Sequence, residues 1–291
     1  MTVSSESGNA DATGEDEIVR ISSNLVPLPA SVIDERGRAV TNLQLTDFEL
    51  RVDGHLRAIS DLSFAETPVN LVMLFDNSSS LIQAREFEKQ AAVHFFQRVM
   101  RPVDQAAIYS VSTVPVLEHG FTSNTNALVT AIQRFGRPEG ATALFDAIVQ
   151  AARYLRPQVN RKVIVIVSDG ADTISDLTFD DALRAAQAAD CQIFAVRTGL
   201  SDNTNLRDLA AERRLEEFAA QTGGAVYVPR GIGDLDTAFT QIAADIAQQY
   251  VLSYYPSEEP RDGRFRQISL RVTTRPAARV RTRRGYYAPQ G

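Results

Sequence analysis

Between residues 69 and 249, short continuous apolar segments alternate with segments whose apolar residues recur every three or four positions. A short continuous apolar run is typical of a strand that is buried on both faces, and the second spacing is typical of an amphipathic helix. The clearest predicted strands are "VNLVMLF", "AAIYSVS", "KVIVIVSDG" and "CQIFAVRTG". Repeated strand–helix alternation predicts an α/β fold, with a doubly wound, mostly parallel sheet flanked by helices.

The helices of this region are marked by apolar stripes and by their ends. The first predicted helix has the stripe Ala84, Phe87, Ala91, Phe95 and Val99, and Pro102 ends it. Further helices are predicted at about 126–135 and 143–155, over "FDDALRAAQAAD" after the capping pair Thr178 and Asp181, over "LRDLAAERRLEEFAAQTGG" and over "DLDTAFTQIAADIAQQY". The segment "VPVLEHGFT" is predicted to form a hairpin with the strand before it.

The segments on either side, 24–64 and 250–288, have the period-two alternation of β-strands. In the first, "FELRV" alternates apolar and polar residues and is followed by the turn signal Asp53-Gly54; in the second, "ISLRV" alternates in the same way. Neither segment is large enough to fold alone. We therefore expect the two to pair into one small β-sandwich, into which the α/β domain is inserted.

The predicted organisation has four regions: an acidic tail at 1–22, the N-terminal portion of the β-sandwich at 23–66, the α/β domain at 67–250 and the C-terminal portion of the β-sandwich at 251–291. The tail is polar and is predicted to be disordered. It lacks the basic and apolar regions of a signal peptide, which fits a cytoplasmic protein and equally a mature secreted or periplasmic form. No stretch approaches the roughly 20 apolar residues of a membrane helix, so no membrane span is expected.

Composition narrows the function classes. Lys and Arg total 30 against 36 Asp and Glu, a net charge of −6, which does not favour nucleic-acid binding. Arginines crowd residues 261–284, where Arg279, Arg281 and Arg283 alternate, and we interpret them as the solvated face of a strand. Contact with an acidic partner or with the acidic tail is the second interpretation of these arginines, and nucleic-acid binding is a distant third. The single cysteine, Cys191, excludes an intramolecular disulfide and predicts a buried structural thiol.

Polar residues follow three of the predicted α/β elements. Asp76, Ser78 and Ser80 follow the first strand, Thr142 lies in the loop "EGATALFD", and Asp169 follows "KVIVIVS". In a doubly wound sheet, ligands bind outside the carboxyl ends of the strands. Two carboxylates and three hydroxyls suit a hard cation such as Mg²⁺, with Mn²⁺ or Ca²⁺ as alternatives. The stretch "DNSSSL" taken alone would equally suit a helix N-cap.

These five positions resemble the metal-ion-dependent adhesion site (MIDAS) of the von Willebrand factor type A (VWA) domain family. That site consists of an Asp-x-Ser-x-Ser motif, a distant Thr and a distant Asp, and here the matching residues are Asp76, Ser78, Ser80, Thr142 and Asp169. The resemblance covers roughly residues 68–250. The flanking segments are similar to a bacterial subgroup, the VWFA-related proteins described from Acidobacteria.

The resemblance implies a protein-binding, adhesion-type module rather than an enzyme. Its serine and threonine hydroxyls would bind the ion directly, the aspartates would bind directly or through water, and a Glu or Asp carboxylate of a partner protein would complete the shell. Asp172 matches a common acidic position of the family and has two interpretations, a ligand or a loop and capping residue. The alternative functions are an assembly subunit whose metal site is unused or only stabilising, and a metal-dependent enzyme.

Catalysis is disfavoured by what the sequence lacks. No lysine closely follows "DNSSS" or "SDGAD", and no Gly-x-x-x-x-Gly-Lys phosphate loop or Gly-x-Ser-x-Gly elbow occurs. None of the three histidines, His55, His94 and His119, is predicted at a carboxyl strand end.

Overall fold

The structure is a computed structural model. It describes residues 25–64, 67–78, 85–198, 206–229, 232–256 and 259–290. The predicted tail, 1–22, lies outside these residues. None of the described helices is long and apolar enough to cross a membrane.

The elements follow one another in the expected order, with β-structure at both ends and an α/β region between them. The N-terminal strands are β1 (Val26–Ile33), β2 (Phe48–Val52), β3 (His55–Arg57) and β4 (Asp61–Phe64). The α/β region consists of β5 (Val69–Asp76), α1 (Arg85–Val99), β6 (Gln105–Val111), β7 (Val116–Thr122), α2 (Thr125–Gln133), α3 (Leu144–Leu155), β8 (Arg161–Ser168), α4 (Phe179–Ala188), β9 (Cys191–Arg197), α5 (Leu206–Thr222), β10 (Val226–Tyr227) and α6 (Leu235–Ala247). The C-terminal strands are β11 (Tyr250–Tyr254), β12 (Phe265–Val272), β13 (Arg279–Thr282) and β14 (Gly285–Tyr287).

The central sheet has the strand order β10-β9-β8-β5-β6-β7. Its first five strands are parallel, and β7 pairs antiparallel with β6 at the edge, as the predicted hairpin requires. Every residue of β5 is buried, because helices cover both faces of the sheet. One face packs against α1, α2 and α6, and the other against α3, α4 and α5. The fold class predicted from the sequence is confirmed.

The chain changes direction across the sheet between β5 and β8. From β5 it passes through α1 to β6 on one side, whereas from β8 it passes through α4 to β9 on the other. The loops that leave these two neighbouring strands therefore diverge and open a crevice at their carboxyl ends. Asp76 is the last residue of β5 and Asp169 directly follows β8, so both line this crevice.

The N- and C-terminal segments pair with each other in two antiparallel sheets, ordered β13-β1-β11-β4 and β14-β12-β2-β3. Leu252 of β11 lies between Leu28 of β1 and Leu62 of β4, and it is fully buried. One hydrophobic core is shared by residues of both sheets. The Asp53-Gly54 turn joins β2 to β3 with positive φ at both positions, as predicted for a tight hairpin.

The terminal sheets lie at the amino ends of the central strands. Arg161 begins β8, and its guanidinium donates to the Ile246 carbonyl at the end of α6 and to Gln249. Gln249 in turn donates to Ser31 of β1 at 3.1 Å. The carboxyl edge, where the crevice opens, is at the opposite end of the strands.

The alternating arginines near the C-terminus are a correction to the sequence prediction. Only Arg279 has the exposed position expected of a solvated face. Arg281 pairs with Asp245 of α6 at 2.5 Å, and Arg283 pairs with Asp190 and donates to the Pro27 carbonyl at 2.8 Å. The prediction is wrong because this strand packs against the α/β region, so its arginines join the two units.

If the core between the terminal segments holds them together, truncating Leu252 should loosen the N-terminal strands. Leu252→Ala should lower the free energy of unfolding by roughly 2–5 kcal/mol, because it leaves a cavity in a fully buried site. Hydrogen exchange should accelerate in β1 and β4. The control is Leu56→Ala, whose side chain is exposed and whose effect should stay within about 0.5 kcal/mol. Unchanged exchange in β1 and β4 would refute the shared core.

Candidate metal centre

Asp76 is fixed between the ends of two neighbouring parallel strands. Its side chain is completely buried. One carboxylate oxygen accepts a hydrogen bond from the Ser168 hydroxyl at 2.5 Å, and the other accepts from the Ser78 backbone amide at 2.9 Å. The chain therefore leaves β5 with this carboxylate held from both sides.

The segment Ser168-Asp169-Gly170 forms the second wall of the crevice. The Ser168 hydroxyl also accepts from the Gly170 amide at 3.0 Å, which turns the chain sharply after β8. Gly170 has φ +82°, and a Cβ atom there would lie 2.7 Å from a Leu215 methyl group, so this turn requires glycine. Asp169 lies within this turn, at the end of the strand next to β5, and its charge contributes to raising the pKa of Asp76.

Thr142 is buried just before α3 and is bound to the loops around it. Its backbone amide donates to the Thr173 hydroxyl at 2.9 Å, and its carbonyl accepts from the Thr173 amide at 2.9 Å. The next amide, of Ala143, donates to the Ser112 carbonyl just beyond β6. Thr142 is thus held between the loop after β6 and the loop after β8, at the same edge as Asp76.

The structure brings four of the five predicted ligands to one edge of the sheet: Asp76, Ser78, Thr142 and Asp169. The fifth, Ser80, lies outside the described residues. Among the described residues, no three His, Cys, Asp or Glu side chains are placed to hold a metal ion together. A cation bound here would therefore depend on the hydroxyl oxygens of Ser78 and Thr142 as well as on the carboxylates.

Asp172 caps helix α3, which is one of the two roles that the sequence allows for it. Its carboxylate accepts from the Phe145 amide in the first turn of α3 at 3.1 Å and from the Ser175 hydroxyl at 2.5 Å. The N-cap residue of α3 is Ala143, whose side chain has no oxygen to satisfy these amides. Asp172 supplies that cap from a neighbouring loop.

Two charged residues of α1 lie beneath the site and were not expected from the sequence. The first is Arg85, which is buried. Its guanidinium donates to the Asp76 carbonyl at 2.8 Å and to the Asn77 side-chain oxygen, and it lies 4.5 Å from the centre of the Phe75 ring. Arg85 therefore ties the start of α1 to the loop that carries the predicted ligands.

The second is Glu88, one helical turn after Arg85, and its side chain is completely buried. Neither of its carboxylate oxygens has a hydrogen-bond partner of normal geometry in the described structure. The hydroxyl of Thr198, just after β9, lies close enough to lower the pKa of Glu88 but does not reach that geometry. A buried carboxylate left in this state is energetically costly.

Both buried acids are harder to ionise than usual. Burial raises the pKa of Asp76 to about 6, against the opposing effect of hydrogen bonds from Ser168 and Ser78. Burial also raises the pKa of Glu88 to about 7, opposed by Thr198 and Arg85 and reinforced by the charges of Asp76 and Asp169. With all ionised, these three carboxylates and the one guanidinium of Arg85 carry a net charge of −2.

The charge and the donor set fit a divalent cation. A bound ion of charge +2 would bring the group to neutrality, and carboxylate and hydroxyl oxygens are the ligands that hard cations prefer.

Helix periodicity could have identified Glu88 as a buried residue, because it lies three and seven residues before Ala91 and Phe95 on the buried stripe of α1.

The model of the von Willebrand factor type A domain family matches residues 70–224, which is more than half of the chain. The chain belongs to this family. Its VWA domain carries the motif residues Asp76 and Ser78 at the end of β5, Thr142 before α3 and Asp169 after β8. Among the curated proteins, none matches this sequence significantly.

Solved structures with the same fold come from several bacteria. An aerotolerance-related membrane protein from Bacteroides fragilis is 19% identical, over 61% of this chain and 98% of that one, with a TM-score of 0.51. A von Willebrand factor type A protein from Catenulispora acidiphila is 15% identical, over 77% of this chain and 51% of that one, with a TM-score of 0.53. The PilB minor pilin from Streptococcus sanguinis is 13% identical, over 62% of each chain, with a TM-score of 0.50. At these identities the likeness shows the fold alone.

The raised pKa values predict that the metal-free domain loses stability as pH rises. The unfolded chain releases protons near the ordinary values of 3.8 and 4.5, whereas folded Asp76 and Glu88 hold theirs to about 6 and 7. The folded state is therefore penalised progressively above about pH 4 and fully above about pH 7. In EDTA, the melting temperature should be lower at pH 8 than at pH 5.5.

The variant Asp76→Asn should reduce this dependence of the melting temperature on pH. Carboxyl groups with a lowered pKa, such as those of Asp34, Asp47 and Asp262, change charge below this window and leave it unaffected. A melting temperature of the metal-free protein that rises between pH 5.5 and pH 8 would contradict the prediction.

Proposed function

We propose that this VWA domain is a metal-ion-dependent protein-binding module. The cation, Mg²⁺ in the first instance with Mn²⁺ or Ca²⁺ as alternatives, would be held by Asp76, Ser78, Ser80, Thr142 and Asp169. A Glu or Asp side chain of a partner protein would complete its coordination. The observation that carries the proposal is the grouping of two buried carboxylates, Asp76 and Glu88, and the half-buried Asp169 around one guanidinium among the described residues, that of Arg85.

The donor set gives the proposal its chemistry. Hydroxyl groups are neutral ligands, so they leave most of the cation's charge available to an incoming carboxylate. The ion, when bound, supplies a strong positive charge to an edge of the protein that is otherwise acidic. Recognition of this kind depends on charge and geometry and requires no bond to break.

The neighbourhood of the site supports binding rather than catalysis. The described histidines lie elsewhere: His55 is in β3, His94 faces Asp236 on α6, and His119 is in β7. No histidine is thus placed as a general base for a serine hydroxyl at the crevice. Two further acids near Thr142 have structural contacts: Asp172 caps α3, and Asp146 accepts from the amides of Asp176 and Leu177.

Magnesium should stabilise the domain through Asp76. At a concentration about 100-fold above its dissociation constant, a ligand of the folded state adds about 2.7 kcal/mol. For a chain of this size we expect a rise in melting temperature of roughly 5–10 °C at pH 8. The variant Asp76→Ala should show no such rise.

The matched control is Asp172→Asn, which alters a nearby acid that is assigned to capping. This variant keeps an oxygen acceptor for the Phe145 amide and should keep the full response to Mg²⁺. A response that persists in Asp76→Ala, or that is lost in Asp172→Asn, would overturn the ligand assignment.

Partner binding should require the ion. Proteins captured from an extract of the native organism on the immobilised wild-type domain with Mg²⁺ should be released by EDTA, and Asp76→Ala should not capture them. For a captured partner, substitution of the contacting Glu or Asp by Gln or Asn should abolish binding. Equal capture in Mg²⁺ and EDTA would favour the alternative of an assembly subunit whose metal site is unused or only stabilising.

A further inference from the structure

We infer that Glu88 is a positioning residue of the cation site, acting from the interior of α1 as a fixed negative charge behind the ion. The inference rests on the proposed function, because it assigns a role toward the same cation. Glu88 is not a member of the Asp-x-Ser-x-Ser motif and is separated from it by the first turn of α1.

The surroundings of the Glu88 side chain are unfavourable for a carboxylate. Glu88 is fully buried, and neither carboxylate oxygen has a partner of normal hydrogen-bond geometry in the described structure; only the nearby Thr198 hydroxyl and the charge of Arg85 are identified as favouring its ionised form. Burying a charge without compensation is among the costliest features that a fold can contain. A core position of α1 would be more stable with an apolar residue, as at Ala91 and Phe95 on the same stripe.

The neighbours of Glu88 belong to the network that holds Asp76. Glu88 follows Arg85 by one helical turn, and Arg85 donates to the carbonyl of Asp76. On its other side is Thr198, whose amide donates to the Ser168 carbonyl at 3.1 Å, while the Ser168 hydroxyl holds the Asp76 carboxylate. Both neighbours of Glu88, Arg85 and Thr198, are thus hydrogen-bonded to the pair of Asp76 and Ser168.

Glu88 would act on a bound cation through its charge and not as a direct ligand. Asp76, Asp169 and Glu88 influence one another electrostatically, but no three acidic side chains among the described residues could hold one ion together. Glu88 is thus excluded from direct ligation with the two aspartates. Its charge acts through space, in an interior where little solvent screens it.

The competing explanation is that Glu88 is a neutral, purely structural residue that fills space under the site. The two explanations differ for Glu88→Gln, which keeps the size and the polar character of the side chain and removes its charge. The matched control is Glu86→Gln, which removes the same charge from an exposed position two residues earlier on the same helix.

The experiment is a titration of each full-length variant with MgCl₂ at pH 8 by isothermal calorimetry, paired with thermal melts in EDTA. For Glu88→Gln we expect Mg²⁺ affinity to fall about tenfold, the scale of outer-shell substitutions at metal sites. The metal-free melting temperature should rise, because an uncompensated buried charge is removed. Glu86→Gln should change the affinity by less than about twofold, since surface charges are screened by solvent.

The outcomes separate this inference from the proposed function. Wild-type affinity in Glu88→Gln, with binding abolished in Asp76→Ala, would overturn the role of Glu88 and leave the cation site in place. Absence of Mg²⁺ binding in the wild type would overturn both. A fall in affinity accompanied by a lower metal-free melting temperature would identify Glu88 as structural and would also overturn the inference.

Discussion

The architecture of the candidate site depends on one buried carboxylate, that of Asp76. It ends the central strand β5, where every residue is shielded by helices, and it is held by a hydroxyl from β8 and an amide of its own loop. These contacts fix its position, while burial still raises its pKa. A site held in place in this way, with more carboxylates than cationic groups, would bind the proposed cation with little reorganisation.

Helix α1 contributes to both sides of this balance. Arg85 brings one positive charge against the backbone carbonyl of Asp76 and the side chain of Asn77, and Glu88 one turn later brings a further negative charge. The two residues nearly cancel, so the net deficit stays close to that of the two aspartates. The helix thus supplies rigidity through Arg85, whose guanidinium also packs on Phe75. If the proposed cation binds here, the destabilising buried charge of the metal-free fold would be offset by the ion, a trade between stability and function that functional sites commonly make.

Periodicity was sufficient to predict the sheet, its helices and the strand-end positions of Asp76 and Asp169, because buried parallel strands have a distinctive apolar pattern and end at one edge. It was insufficient for residues whose role depends on tertiary packing. The local sequence does not connect Glu88 with Asp76 and Asp169, because these residues come near it only in the folded chain. The solvated-face prediction failed for Arg281 and Arg283, since alternation along a strand does not reveal that a second unit covers its outer face. Such ion pairs join two segments that are distant in the sequence, and a local pattern contains only one of them.

The insertion of the α/β region between the terminal strands determines which edge of the central sheet faces the terminal sheets. The α/β region begins after β4 and returns to the terminal sheets directly from α6 into β11, so both connections lie at the amino ends of the central strands. Arg161, Gln249 and Ser31 join the units at that same edge. The terminal sheets therefore do not cover the crevice at the opposite edge. The proposed partner would therefore approach Asp76 and Thr142 from the edge of the central sheet opposite to the terminal sheets.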